Sequence, residues 1–88
     1  MNRIVRVAAD AQAFIQALPD KTRRQVSRSI SDLEHDSFRG DVKPLKGKEW
    51  EGFYRKRAGD FRIIFFLHYD QRLIEVASVL RRSEKTYG

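Results

Sequence analysis

With 88 residues, no cysteine and only two histidines, His35 and His68, the chain has room for one domain over residues 1–88 and excludes a disulfide framework, a thiolate metal site and a dense imidazole cluster. Hydrophobic residues at 41% against charged residues at 34% describe a folding chain rather than a disordered one. The net charge of +6 implies a polyanionic partner, nucleic acid or an acidic protein, and it is skewed: residues 1–42 carry seven Lys/Arg against six Asp/Glu, residues 43–88 eleven against six.

No apolar run approaches the roughly 20 residues that cross a bilayer, and MNRIVRVAADAQAF lacks the apolar stretch of a secretory leader, so the expectation is a cytoplasmic protein with no membrane partner. Arg3-Ile4-Val5-Arg6-Val7 is short and β-branched and predicts a strand. From Ala8 the period changes. Ala11, Phe14, Ile15 and Leu18 recur at helical spacing behind Asp10, which reads as the cap, and Pro19-Asp20 ends the helix. A second helix is predicted from Asp20 or Lys21 to about His35, with Val26, Ile30 and Leu33 inward and Arg23, Arg24, Arg28, Asp32 and Glu34 outward, so that the two helices form an antiparallel hairpin.

Residues 36–52 are rich in Gly, Asp and Lys and read as a long connection with little regular structure. Phe53 to Arg57 and Phe61 to Tyr69 then read as strands joined by Ala58-Gly59-Asp60. The second of these is apolar on both faces apart from Arg62, as expected of a central strand. Asp70-Gln71 turns into a last strand, Leu73 to Leu80, and a polar tail RRSEKTYG follows. The order β-α-α-β-β-β predicts an α+β fold, a helical hairpin packed on a small, mainly antiparallel sheet.

Alternation places Phe53, Arg55 and Arg57 on one face of their strand and Tyr54, Lys56 and Ala58 on the other. Adjacent like charges on one face are normally avoided, so the pair Arg55 and Arg57 points to a bound anion, unless it is simply a solvated basic strand. Arg62 breaks an apolar strand, where a charge needs a structural partner such as Asp60 or Glu75, or else a working cleft. His68 reads as a half-buried structural residue and Trp50 as the plug that pins its loop.

The segments PLKG (Pro44–Gly47) and FYRKRAGDFRIIF (Phe53–Phe65), a Tyr-Asp-Gln turn, a β-branched strand and the closing RRSEKTY together resemble the RelE branch of the RelE/ParE toxins over about half the chain. The resemblance implies a toxin that cleaves mRNA on the ribosome through attack of the ribose 2′-hydroxyl on the neighbouring phosphate, without a metal or other cofactor, and that is held in check by an acidic antitoxin. It also implies roles. Arg55 and Arg57 match the family's basic pair, Arg62 the arginine at the scissile phosphate, Arg82 or else Arg81 the tail arginine, and Tyr87 the terminal tyrosine beside the cut base. Lys46, Lys48, Lys56 and Lys85 complete the cations available for substrate binding. Relatives carry lysine in the basic pair. Arginine stays protonated, so a general base must come from elsewhere: Glu84, Glu49 or Glu51, with Lys46 and Lys56 also open. Three other readings remain: a ParE-like gyrase inhibitor, a non-catalytic RNA-binding domain, and an attenuated toxin.

Overall fold

The computed structural model describes residues 3–81. Strand β1 (Ile4–Val7) leads into helix α1 (Ala9–Gln16) and helix α2 (Asp20–His35), and four strands follow: β2 (Val42–Pro44), β3 (Phe53–Ala58), β4 (Phe61–His68) and β5 (Leu73–Arg81). They form a single five-stranded sheet in the order β1-β5-β4-β3-β2. The β1–β5 pair is parallel and the other three pairs are antiparallel. The α+β expectation therefore holds, with one strand more than the sequence suggests. None of the described helices is long and apolar enough to cross a membrane.

Both helices lie on one face of the sheet, α1 against β5 and α2 against β1 and β3. Ala11 and Ile15 from α1, Leu18 from the link that follows it, and Val26, Ile30 and Leu33 from α2 meet Phe61, Ile63, Phe65 and Leu67 of β4 and Ile74, Val76 and Val79 of β5 in the core. These are the predicted helical stripes; Phe14, part-buried, reaches Phe61 edge-on at 5.9 Å.

Two local expectations are corrected, and one feature was not anticipated. Asp10 does not cap α1: Ala8 is the N-cap, with no side-chain cap bond, and Asp10 sits in the first turn, where its charge favours the helix dipole. Residues 36–52 are not an irregular connection. They hold the edge strand β2, paired with β3 through Val42↔Lys56, Lys43↔Arg55 and Pro44↔Tyr54, and a 3-10 turn at Lys48–Trp50. Finally, β5 contains a bulge: Ser78 pairs with Ile64 but Val76 with Phe65, so Ala77 is an extra residue. That extra residue lets Val79 on one side and Val76 and Ile74 on the other all face the helices, while Glu75 and Ser78 face away.

Strands β3 and β4 join through Gly59-Asp60. Gly59 takes a φ of 60°, and a Cβ there would come 2.6 Å from the Gln25 Nε2 of α2. The hairpin tip is thus clamped beneath α2.

Candidate functional site

The face of the sheet turned away from the helices carries the cations. Register sets Lys43 of β2 opposite Arg55 of β3, and Arg57 of β3 opposite Arg62 of β4, all on that open face. Directly opposed residues hold their Cβ atoms about 4.5–5.5 Å apart, and Arg55 and Arg57 are separated by about 7 Å along the strand. The side-by-side arginines read from the sequence are therefore part of a larger array of four positive side chains.

Why the chain folds this way locally follows from strand period and turn length. A two-residue turn fixes Ala58↔Phe61 as the closing pair, which makes Arg57↔Arg62 the next one. Opposed guanidinium groups repel, and the surrounding geometry holds them by other means. The Arg57 N–H donates to the Asp41 carbonyl at 3.0 Å, and the Asp41 carboxylate stands 3.8 Å from Arg57 Nη1, a loose, half-exposed ion pair. Neither Lys43 nor Asp41 was foreseen as a site residue; both become visible once Val42-Lys43-Pro44 is taken as a strand paired with β3.

Lys56 is a different case. Expected among the substrate-binding cations, it faces the helices instead, only 4% exposed, with its Nζ donating to the Ser29 carbonyl of α2 at 2.9 Å. Burial pushes its pKa below the ordinary lysine value, with Arg39 adding to that effect while Asp32 and Asp36 oppose it. It is a structural cation that ties β3 to α2, shut away from the open face.

The loop candidates lie at the other end of β3. Lys46, Lys48, Glu49 and Glu51 are exposed and precede Phe53, some 13 Å along the strand from Arg57 by the rise of its four residues. The structure does not gather them with the Arg57–Arg62 pair, and the Glu49 carboxylate curls back over Gly47. Beside them an aromatic cluster caps that end of the open face: Trp50 meets Phe53 edge-on at 5.4 Å, Phe53 meets Phe66 at 4.9 Å, and Phe66 meets the His68 ring at 4.5 Å. Trp50, expected to pin its loop to the core, packs instead on Phe53 at the open face and lies outside the core cluster. His68, part-buried, lies 3.3 Å from the Glu75 carboxylate. Glu75 is opposite Phe66, four residues along β4 from Arg62.

Arg81 ends β5 opposite Phe61, and its guanidinium lies over that ring at 5.4 Å, on the helix side of the sheet and away from Arg62. Arg82, Glu84, Lys85 and Tyr87 lie outside the described residues. Among the described residues no group of three or more His, Asp and Glu side chains is assembled as metal ligands would be.

Chemically, the open face gathers four cationic hydrogen-bond donors at neighbouring register positions, side-chain types that suit phosphate oxygens. Arginine cannot accept a further proton, so these side chains can donate hydrogen bonds and offset negative charge but cannot act as a base.

The same architecture recurs among solved structures. The chain is similar to a chain of the RelBE2 toxin–antitoxin complex from Mycobacterium tuberculosis (22% identity, TM-score 0.81, covering 93% of this chain and 100% of that one). It is also similar to a chain of the archaeal RelE–RelB complex from Pyrococcus horikoshii OT3 (24% identity, TM-score 0.80, 96% and 99% covered) and to the YoeB/ParE toxin from Agrobacterium tumefaciens (17% identity, TM-score 0.73, 89% and 96% covered). No curated protein matches the sequence. The family model for the ParE toxin of type II toxin–antitoxin systems matches residues 5–86, nearly the whole chain. This chain is a member of that toxin family, within the RelE/ParE superfamily.

Proposed function

We propose that the chain is an endoribonuclease toxin that cleaves mRNA on the ribosome and so inhibits translation. The observation that carries this reading is the register match of Arg57 with Arg62 on the open face, flanked by Arg55 and Lys43. Two guanidinium groups brought together at opposed strand positions concentrate positive charge at one point of the face, and a phosphodiester is an anion that guanidinium forks fit. In the reaction proposed, the 2′-oxygen forms a bond to phosphorus while the bond from phosphorus to the 5′-oxygen breaks. The 2′-hydroxyl proton leaves to a base and the 5′-oxygen takes up a proton. Arg57 and Arg62 neutralise the charge that builds on the phosphoryl oxygens, a contribution of about 10²–10³ in rate per well-placed donor. Arg55 and Lys43 hold the flanking phosphate. Glu84, from the tail, is the base we favour, Tyr87 orients the base beside the cut, and Arg82 rather than Arg81 supplies the tail cation.

The partner that restrains the toxin is a cognate antitoxin whose acidic segment covers the cationic face, by charge complementarity. Complexes with RelB antitoxins describe the structural relatives from Pyrococcus horikoshii and E. coli.

A gyrase-directed reading has one observation in its favour: the family model that matches is the one for ParE toxins. The two readings part in one experiment. The purified chain is added to a reconstituted translation reaction with a defined mRNA, new 5′ ends are mapped, and a gyrase supercoiling assay is run beside it. Discrete cuts that vanish with Arg62→Ala support the ribonuclease. Intact mRNA together with blocked supercoiling overturns it in favour of gyrase.

A further inference from the structure

The outer surface of α2 carries a second set of cations that the sheet-face chemistry does not use. Lys21, Arg24 and Arg28 are exposed and follow one another at spacings of three and four residues, which aligns them in a stripe along one side of the helix. Lys21 with Arg24 and Arg24 with Arg28 are like-charged neighbours, an unfavourable arrangement for an isolated helix. Nearby, Arg23 has its carboxylate, Asp20, at 2.6 Å, whereas among the described residues no carboxylate lies within ion-pair distance of the stripe.

The stripe borders a shallow groove of about 460 Å³ lined by Lys21, Arg24, Gln25, Arg28, Ser29 and Asp32. Cationic, amide and hydroxyl donors are the side chains that contact nucleic-acid phosphates, and Asp32 closes the groove at one end. The residues that line it are all polar or charged, and the aliphatic stems of the long side chains supply its apolar surface.

Its position matters as much as its composition. Gln25, in the middle of the stripe, lies against Gly59 at the tip of the β3–β4 hairpin, and Arg57 and Arg62 flank the same tip on the opposite side of the sheet. The two cationic sets thus approach the hairpin end from opposite faces of the molecule, separated by Gln25, Gly59 and the carboxylate of Asp60.

We propose that the Lys21–Arg24–Arg28 stripe of α2 is a second RNA contact, one that grips the phosphate backbone of a folded RNA while the open sheet face holds the strand to be cut. This rests on the reading of the open face as an RNA site, and it adds a partner class: a structured RNA large enough to flank the hairpin tip on both sides.

The test uses the full chain and two labelled probes made of 2′-O-methyl RNA, which lacks the attacking hydroxyl: a hairpin of about 16 base pairs and a single strand of about 8 nucleotides. Binding is measured by fluorescence anisotropy over a salt series for the wild type, for Lys21→Gln/Arg24→Gln/Arg28→Gln, and for Arg57→Gln/Arg62→Gln. Glutamine keeps helix propensity, and a thermal melt verifies the fold. The α2 variant should lose about tenfold or more in hairpin affinity and flatten the salt slope by about two to three, with single-strand affinity held within about twofold. The sheet variant should lose the single strand. If wild-type protein cleaves no mRNA and ignores the single strand, yet the α2 variant still loses the hairpin, the ribonuclease reading falls and the second contact stands. Hairpin affinity unchanged in the α2 variant overturns the proposal. So does unchanged hairpin affinity with lost binding to a Glu/Asp-rich peptide, which would assign the stripe to a protein partner.

Discussion

Lys56 and Arg57 are consecutive cations in one strand, yet they belong to different parts of the molecule's economy. Lys56 is buried under α2, its amine donating to the Ser29 carbonyl, while Arg57 stands half-exposed on the open face opposite Arg62. Charge type does not separate them; strand parity does. The covered face uses every second residue to build the fold, and the open face is left to collect charges that the fold does not need. A cation in a strand is therefore assigned to stability or to function by which side of the sheet it reaches.

The comparison breaks if truncations on the two faces behave alike. The largest effect is expected on the covered face: Phe65 is fully buried at the centre of β4, and Phe65→Ala should cost about 3–5 kcal/mol, a large share of what an 88-residue domain has, read by chemical denaturation. A loss under 1 kcal/mol would mean that the sheet is not held by this core. On the open face Arg57→Ala and Arg62→Ala should each lower mRNA cleavage by about 10²–10³ while stability moves by no more than about 0.5 kcal/mol. An equal loss of stability would return both arginines to a structural role.

Lys56 sharpens the contrast through pH. Its folded-state pKa is depressed, so the unfolded chain holds the proton more tightly and stability rises with pH across the window from the depressed value up to the ordinary lysine value of 10.5. Lys56→Met removes that group, so wild type should gain on the variant as pH climbs through this window. A difference that stays flat to pH 10.5 would contradict a desolvated amine. The smallest effect concerns Asp41, whose carboxylate stands 3.8 Å from Arg57 and would compete with the phosphate of the proposed substrate. Asp41→Asn should lower KM by up to about fivefold and leave kcat unchanged, as expected when a half-exposed ion pair worth at most about 1 kcal/mol is removed. A fall in kcat would instead make Asp41 a part of the reaction.

Much of the fold is legible in the chain. Helix α2 matches its expected ends because Val26, Ile30 and Leu33 mark a stripe and Pro19 sits immediately before it. Strand β2 is not legible: three residues ending in proline carry no strand signal, and they are extended because β3 offers a partner. The site follows suit. Arg55 and Arg57 could be placed on one face from alternation, whereas Arg62 joins them only because the turn is two residues rather than the expected Ala58-Gly59-Asp60, and Lys43 and Asp41 only through β2. Lys56 was misjudged because a lysine between arginines looks solvated, and only the helix crossing above it reveals otherwise. The bulge was equally hidden, because alanine at position 77 has nothing to announce it.

That extra alanine divides β5 into two halves that each keep a two-residue rhythm but are out of phase with one another. The half at Leu73–Val76 is locked to β1 in parallel, and the half at Ser78–Arg81 runs beside the start of β4, next to the arginine array. A register constraint on one half is therefore not inherited by the other. The strand works as a coupling with an offset, so that the end nearest the cationic face could be re-aimed over generations of substitution without disturbing the parallel seam that secures the beginning of the chain.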